Sequence, residues 1–201
     1  MAKLRTAVLI SGGGSNMAAL IAAAKAEDYP AEIVLVVSSS PDAPGLAKAE
    51  AAGVSALAFD HRIFDREGLE RAVDAELEKA RVELVCLAGW MRLLSPYLID
   101  KWRDRMINIH PSLLPEFKGL HTHQRALDAG AAEHGCTVHF VRQETDVGPI
   151  IAQARVPVLP GDTAEILAAR VLAEEHKLYP HALALVASGK VRVEGEEIVS
   201  G

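Results

Sequence analysis

The sequence predicts an α/β fold: a mostly parallel sheet with helices on both faces and antiparallel strands in the C-terminal half. Three observations carry this. Near-continuous apolar runs alternate with helical stretches through the first half, as strands buried on both faces require. Three glycines, Gly12–Gly14, stand directly between the first apolar run and the first helix. In the second half, two strand-like runs are separated by about eight residues, a spacing that suits an antiparallel pair.

The elements follow in order. "RTAVLI" (5–10) is a compact apolar strand, and an alanine-rich helix runs from about Ser15 to Lys25. "EIVLVVS" (32–38) is the second strand, and Pro44–Ala52 a helix ended by Gly53. "VSALAF" (54–59) is a third short strand, and residues 64–80 have the polarity pattern of an amphipathic helix. "VELVCLA" (82–88) is the fourth strand. Ser95 and Pro96 open a helix, Ser as cap and Pro in the first turn. "RMINI" (105–109) is the fifth strand, and "CTVHFV" (136–141) and "IIAQARVPV" (150–158) form the antiparallel pair. From Asp162, with Glu165 three residues on, a capping-box-like start opens a helix expected to reach Lys177 and stop before Pro180. The tail "KVRVEGEEIVSG" has the pattern of a short hairpin.

Composition narrows the function. The chain has 201 residues, half of them hydrophobic and 24% charged, which matches a single globular domain over 1–201. No apolar run approaches the roughly 18 residues of a membrane span, and the N-terminus lacks a secretory pattern. Net charge is −6 and no basic stripe occurs, which argues against a protein built to hold nucleic acid. Two cysteines, Cys86 and Cys136, fit a reducing, cytoplasmic setting better than a disulfide scaffold.

Ligands of open parallel sheets sit outside the carboxyl ends of the strands. The loops after residues 10, 89 and 109 therefore share one edge. "LISGGGSN" (9–16) places consecutive glycines at a helix start, where free N–H groups and the helix dipole can hold a phosphate. A dinucleotide fingerprint fails, because Met17 stands where its third glycine belongs and the second strand ends in Ser38–Ser40, with no acid placed to take a ribose hydroxyl pair. A P-loop fails for want of Gly-Lys-Ser/Thr. A single phosphate fits best; a tight turn without a ligand is the plainer alternative.

"INIHPSLLP" (107–115) raises the catalytic question. If Ile107 and Ile109 enter a core, Asn108 and His110 face the other way together, at a strand end. "ETDVGPII" (144–151) offers Asp146 on a loop able to fold over that edge. A carboxylate beside an imidazole favours the imidazolium form, and an amide can donate to a developing oxyanion. The trio would suit transfer of an acyl-type group, by direct attack of a substrate nucleophile, since no Ser or Cys stands in a nucleophile setting. His121 and His123 form an H-x-H without a third ligand nearby in sequence, so no metal site is expected.

The motifs "SGGGSN", "AGWMRLLSP" (88–96), "NIHPSLLP" (108–115), "GLHTH" (119–123), "HGCTVHFV" (134–141), "DVGPI" (146–150) and "EEHKLYP" (174–180) occur in this order. Together they resemble the folate-dependent formyltransferases, and among them the phosphoribosylglycinamide formyltransferase branch. The resemblance spans essentially the whole chain. It implies a Rossmann-like, formyltransferase-type sheet and formyl transfer from 10-formyltetrahydrofolate to the amine of glycinamide ribonucleotide in purine synthesis. Asn108 would stabilise the oxyanion, His110 manage the proton, and Asp146 keep His110 charged. Gly14, Ser15, Asn16 and Glu175 would hold the ribonucleotide. Folate would lie against Arg66, Met91, Arg92, Leu93, Leu94 and Asn108, and against Arg142, Gln143, Glu144, Thr145 and Asp146. Thr137 and His139 would support the centre. The partners implied are these two small molecules, with no nucleic acid, membrane or metal, in a monomer or homodimer. "SGGGSN" departs from the more usual "SGNGSN" and "PEFKG" from a Lys/Tyr-containing version; neither touches the trio. The rivals are a formyltetrahydrofolate hydrolase, which would carry an additional N-terminal regulatory domain, and a non-catalytic module that binds a phosphate ligand.

Overall fold

The computed structural model describes residues 2–201. Seven strands form one sheet in the order β3-β2-β1-β4-β5-β6-β7. They are β1 (Leu4–Ile10), β2 (Ala31–Ser38), β3 (Ser55–Ala58), β4 (Leu84–Leu87), β5 (Met106–His110), β6 (Glu133–Phe140) and β7 (Ile150–Pro157). The first five run parallel; β6 is antiparallel to β5, and β7 to β6. Chain order reverses between β1 and β4, which opens a crevice at their carboxyl ends.

Strand composition explains the two layers. Along β1, Val8 and Ile10 enter one core while Ala7 and Leu9 enter the other, and all four are fully buried. Helices α1 (Ser15–Ala24), α2 (Pro44–Ala51), α5 (Thr122–Asp128) and α6 (Ala164–Ala187) pack on the first side. On the second lie α3 (Arg66–Lys79) and α4 (Pro96–Lys101). A separate hairpin, β8 (Val191–Glu194) and β9 (Glu197–Ser200), ends the chain. Among the described residues no helix is long and apolar enough to cross a membrane.

Four local expectations change. Helix α6 does not stop before Pro180 but carries it inside a run of 24 residues. The Tyr179 hydroxyl donates to the carbonyls of Leu87 and Ile107, at 3.0 and 3.1 Å, and Tyr29 donates to the Pro180 carbonyl at 2.6 Å. The α6 cap is Thr163, which accepts from the Ile166 amide; Asp162 instead pairs with Arg170 at 2.6 Å. Ser95 precedes α4 as expected, but its hydroxyl bonds the buried Glu70 carboxylate rather than the helix start. Helix α5 is additional; its short polar sequence carries no apolar period to announce it.

Candidate functional site

The site grows from the ends of β5 and β6. Ile107 and Ile109 pack into the first core, so by alternation Asn108 and His110 follow the parity of Met106 on the opposite face. In register, Asn108 lies opposite His139 and His110 opposite Thr137. Cross-strand pairing thus collects four polar side chains on one patch.

Each has a defined partner. The Nε2 of His110 donates to the Phe117 carbonyl at 3.1 Å, and its Nδ1 lies 3.3 Å from Asp146 Oδ2. Both ring nitrogens face acceptors, which a doubly protonated ring satisfies. His139 is different. Its Nδ1 donates to the Phe140 carbonyl at 2.9 Å, and burial pushes its pKa down. A neutral ring in that tautomer leaves Nε2 free to accept from Asn108 Nδ2, 3.2 Å away. Asp146 sits at 3.7 Å from the same nitrogen. Thr137 fastens the turn beyond His110: its hydroxyl donates to the Ser112 carbonyl at 2.7 Å and accepts from the Leu114 amide at 3.0 Å.

Asp146 occupies the left-handed region, at φ 57°, which a non-glycine residue adopts at a cost. Its Oδ2 accepts from the Gly119 amide at 2.9 Å, which fixes the carboxylate. Gly148 lets the loop return, because a Cβ there would stand 1.7 Å from the Phe140 carbonyl oxygen.

The glycine turn lies along the same sheet edge. Gly14 takes a φ of 65° at the start of α1, and Gly12–Asn16 line a cavity of about 280 Å³ with Ser11, Ala88, Gly89 and Met91. Asn16 donates to Glu175 at 2.6 Å, which joins two of the four expected ribonucleotide residues across 159 positions of sequence. Glu175 is buried, and that burial pushes its pKa up, opposed by the Asn16 bond. It is therefore no exposed helix acid.

A second cavity of about 330 Å³ adjoins, lined by Arg66, Met91, Arg92 and Leu93 together with His61 and Trp90. Met91 and Leu93 are 62% and 65% exposed, so they are not core residues, whereas Leu94 packs against the second core. The 142–146 loop is mixed. Gln143, Glu144 and Thr145 are exposed, but the Arg142 guanidinium points to Asp104 and Glu196, at 2.8 and 2.7 Å. Arg142 thus ties the loop's root to the C-terminal hairpin.

Ser11 was not anticipated. Its hydroxyl accepts from the Met91 amide at 2.8 Å and lies 2.7 Å from the Ser39 hydroxyl, which fastens the glycine turn to the 89–94 loop. "Ser-Gly-Gly-Gly-Ser" alone does not distinguish its first serine from its second. Of the H-x-H pair, His121 opens α5 in a left-handed conformation, and His123 packs edge-on against His134 at 5.2 Å. Among the described residues no three His, Cys, Asp or Glu side chains are grouped to hold a metal ion.

Comparison with known proteins adds to this geometry. The family model described as formyl transferase matches residues 4–183. The phosphoribosylglycinamide formyltransferase of Escherichia coli (strain K12) is 43% identical over 187 residues, 92% of this chain and 88% of that protein. The trifunctional purine biosynthetic protein adenosine-3 of Bos taurus is 50% identical over 192 residues, 95% of this chain but only 19% of that much longer protein. The crystal structure of glycinamide ribonucleotide transformylase 1 from Symbiobacterium toebii superposes with a TM-score of 0.95 at 44% identity, covering 98% of this chain and 94% of that one.

Proposed function

The chain belongs to the formyl transferase family, and from that premise we propose that it moves the formyl group of 10-formyltetrahydrofolate onto the amine of glycinamide ribonucleotide, a step of purine biosynthesis. The observation that carries this is the convergence of Asn108, His110 and Asp146 at one strand end, beside a glycine turn suited to phosphate. We place both small-molecule substrates in one domain spanning residues 1–201, in the cytoplasm.

The chemistry follows from the partners. The acceptor amine bonds the formyl carbon, giving a tetrahedral oxyanion; then the bond from that carbon to the folate nitrogen breaks. The amine loses a proton and the folate nitrogen gains one. Asn108 spends one amide hydrogen on His139 and has a second for the oxyanion. His110, with both nitrogens engaged by acceptors, stands ready to pass a proton between the two nitrogens. Asp146 holds His110 and closes its loop over the edge.

Gly14, Ser15, Asn16 and Glu175 take the ribonucleotide in this reading, with the phosphate on the turn. Folate takes the wall formed by Arg66 and Met91–Leu94 and the exposed face of the 142–146 loop. The Arg142 side chain, held by two carboxylates, contributes through its backbone.

Purified protein with 10-formyltetrahydrofolate alone should release little formate. Adding glycinamide ribonucleotide should yield tetrahydrofolate and formylated product in equal amounts, and the riboside lacking phosphate should be a much poorer acceptor. Rapid formate release indifferent to the ribonucleotide would favour a hydrolase instead. Tight binding of both ligands without conversion would favour a binding module.

A further inference from the structure

We infer that Lys48 is the counter-charge of the phosphate cradle and sets the preference for an acceptor that carries a phosphate dianion; this rests on the acceptor reading above. The turn supplies backbone N–H groups and the Ser15 hydroxyl. None of the residues lining its cavity carries a charge. A dianion drawn from water into such a site needs compensation beyond neutral donors.

Helix α2 brings that compensation. It docks on the turn through two residues three apart, on one helical face. The Gly45 amide donates to the Gly12 carbonyl at 3.1 Å, and Lys48 Nζ donates to the Gly13 carbonyl at 2.6 Å. Gly45 makes this approach possible: a Cβ there would stand 2.5 Å from Ile10 Cδ1 and 2.9 Å from the Gly12 oxygen. An ammonium has three N–H donors, so the Gly13 carbonyl holds the group at the turn and leaves two for an anion. Lys79, Lys101, Lys118 and Lys177 are paired with carboxylates, and Lys3 binds carbonyls at the far end of α1. Lys48 is exposed and, among the described residues, pairs with none. Its tether fixes the charge at the cradle without neutralising it.

The test compares Lys48→Met, Lys48→Gln and Lys48→Arg on two acceptors, the ribonucleotide and its phosphate-free riboside. Met and Gln should lower kcat/KM for the ribonucleotide about tenfold or more, mainly through KM. The riboside and folate parameters should stay unchanged, and Arg should restore most of the loss. The rise of the ribonucleotide KM with ionic strength should flatten in Lys48→Met. Equal losses on both acceptors would make Lys48 a support for the Gly13 carbonyl and overturn the inference. So would a Lys48→Met enzyme that discriminates between the acceptors as the parent does. A parent enzyme that transfers formyl equally well to both would overturn the acceptor reading itself, and Lys48's role with it.

Discussion

Asn108 can serve an oxyanion only if its amide is held with one hydrogen outward, and a buried neutral histidine does the holding. Asn108→Ala should therefore lower kcat by roughly 10²–10³, about 2.7–4 kcal/mol, with thermal unfolding nearly unchanged. Steady-state release of tetrahydrofolate measures this, and near-parent turnover would remove the role. Acid stability belongs to another histidine. Burial pushes the pKa of His134 down to about 4. Its ordinary value is 6.5, so the unfolded chain binds a proton that the folded chain refuses. The folded state should lose stability as pH falls from about 6.5 toward 4. Urea midpoints across that window should fall less steeply in His134→Phe, which keeps an aromatic ring against Phe117 and His123. An unchanged slope would assign the effect to other groups. The alternation of Asn108 and His110 was legible because a strand's period is two. The tautomer of His139 was not, because a neighbouring backbone carbonyl decides it.

Helix α6 shows how packing overrides a local signal. An interior proline costs roughly 3 kcal/mol through its lost hydrogen bond and ring clash. Fully burying Leu178 and Leu183 returns about 1.5–3 kcal/mol each, and Tyr179 and Ala182 are buried on the same face. The helix therefore continues through Pro180, and the sequence, which shows the proline but not the pocket awaiting its neighbours, misplaces the end. Removing the hydroxyl in Tyr179→Phe should cost about 1–3 kcal/mol, since two strand carbonyls lose a buried donor. Calorimetry would show it, and a cost below a few tenths would mean the strands find other partners. Helix α2 is equally constrained on the opposite side of its turn. Gly45→Ala should shift it away from the glycine cradle, costing about 1–3 kcal/mol as an overpacked contact does. Ribonucleotide affinity should fall with it, while folate affinity, measured separately, should not.

Across the whole molecule, the type of most elements was legible and their neighbours were not. Near-continuous apolar strands announce a parallel sheet buried on both faces. Nothing local places β4 beside β1, which is what brings the 89–94 loop against the glycine turn. Glu175 likewise meets Asn16 only through the folded sheet. The C-terminal hairpin was visible as a hairpin, but its reach to Arg142 through Glu196 was not, since long-range ion pairs leave no spacing to read. The doubly bonded Tyr179 has a consequence in optical terms. Its phenol is held neutral by burial well above the ordinary 10.0; Tyr29 is raised by burial too, and Tyr97 chiefly by its bond to Asp74. These are the chain's three tyrosines. A group whose folded pKa is raised stabilises below the unfolded value and loses that contribution as pH climbs toward the folded one. After a rapid jump to about pH 11, above the ordinary tyrosine value, the tyrosinate absorbance contributed by the buried Tyr179 and Tyr29 should consequently grow at the rate of unfolding. The near-ultraviolet spectrum of this protein then serves as a built-in clock for alkaline opening, without any attached dye.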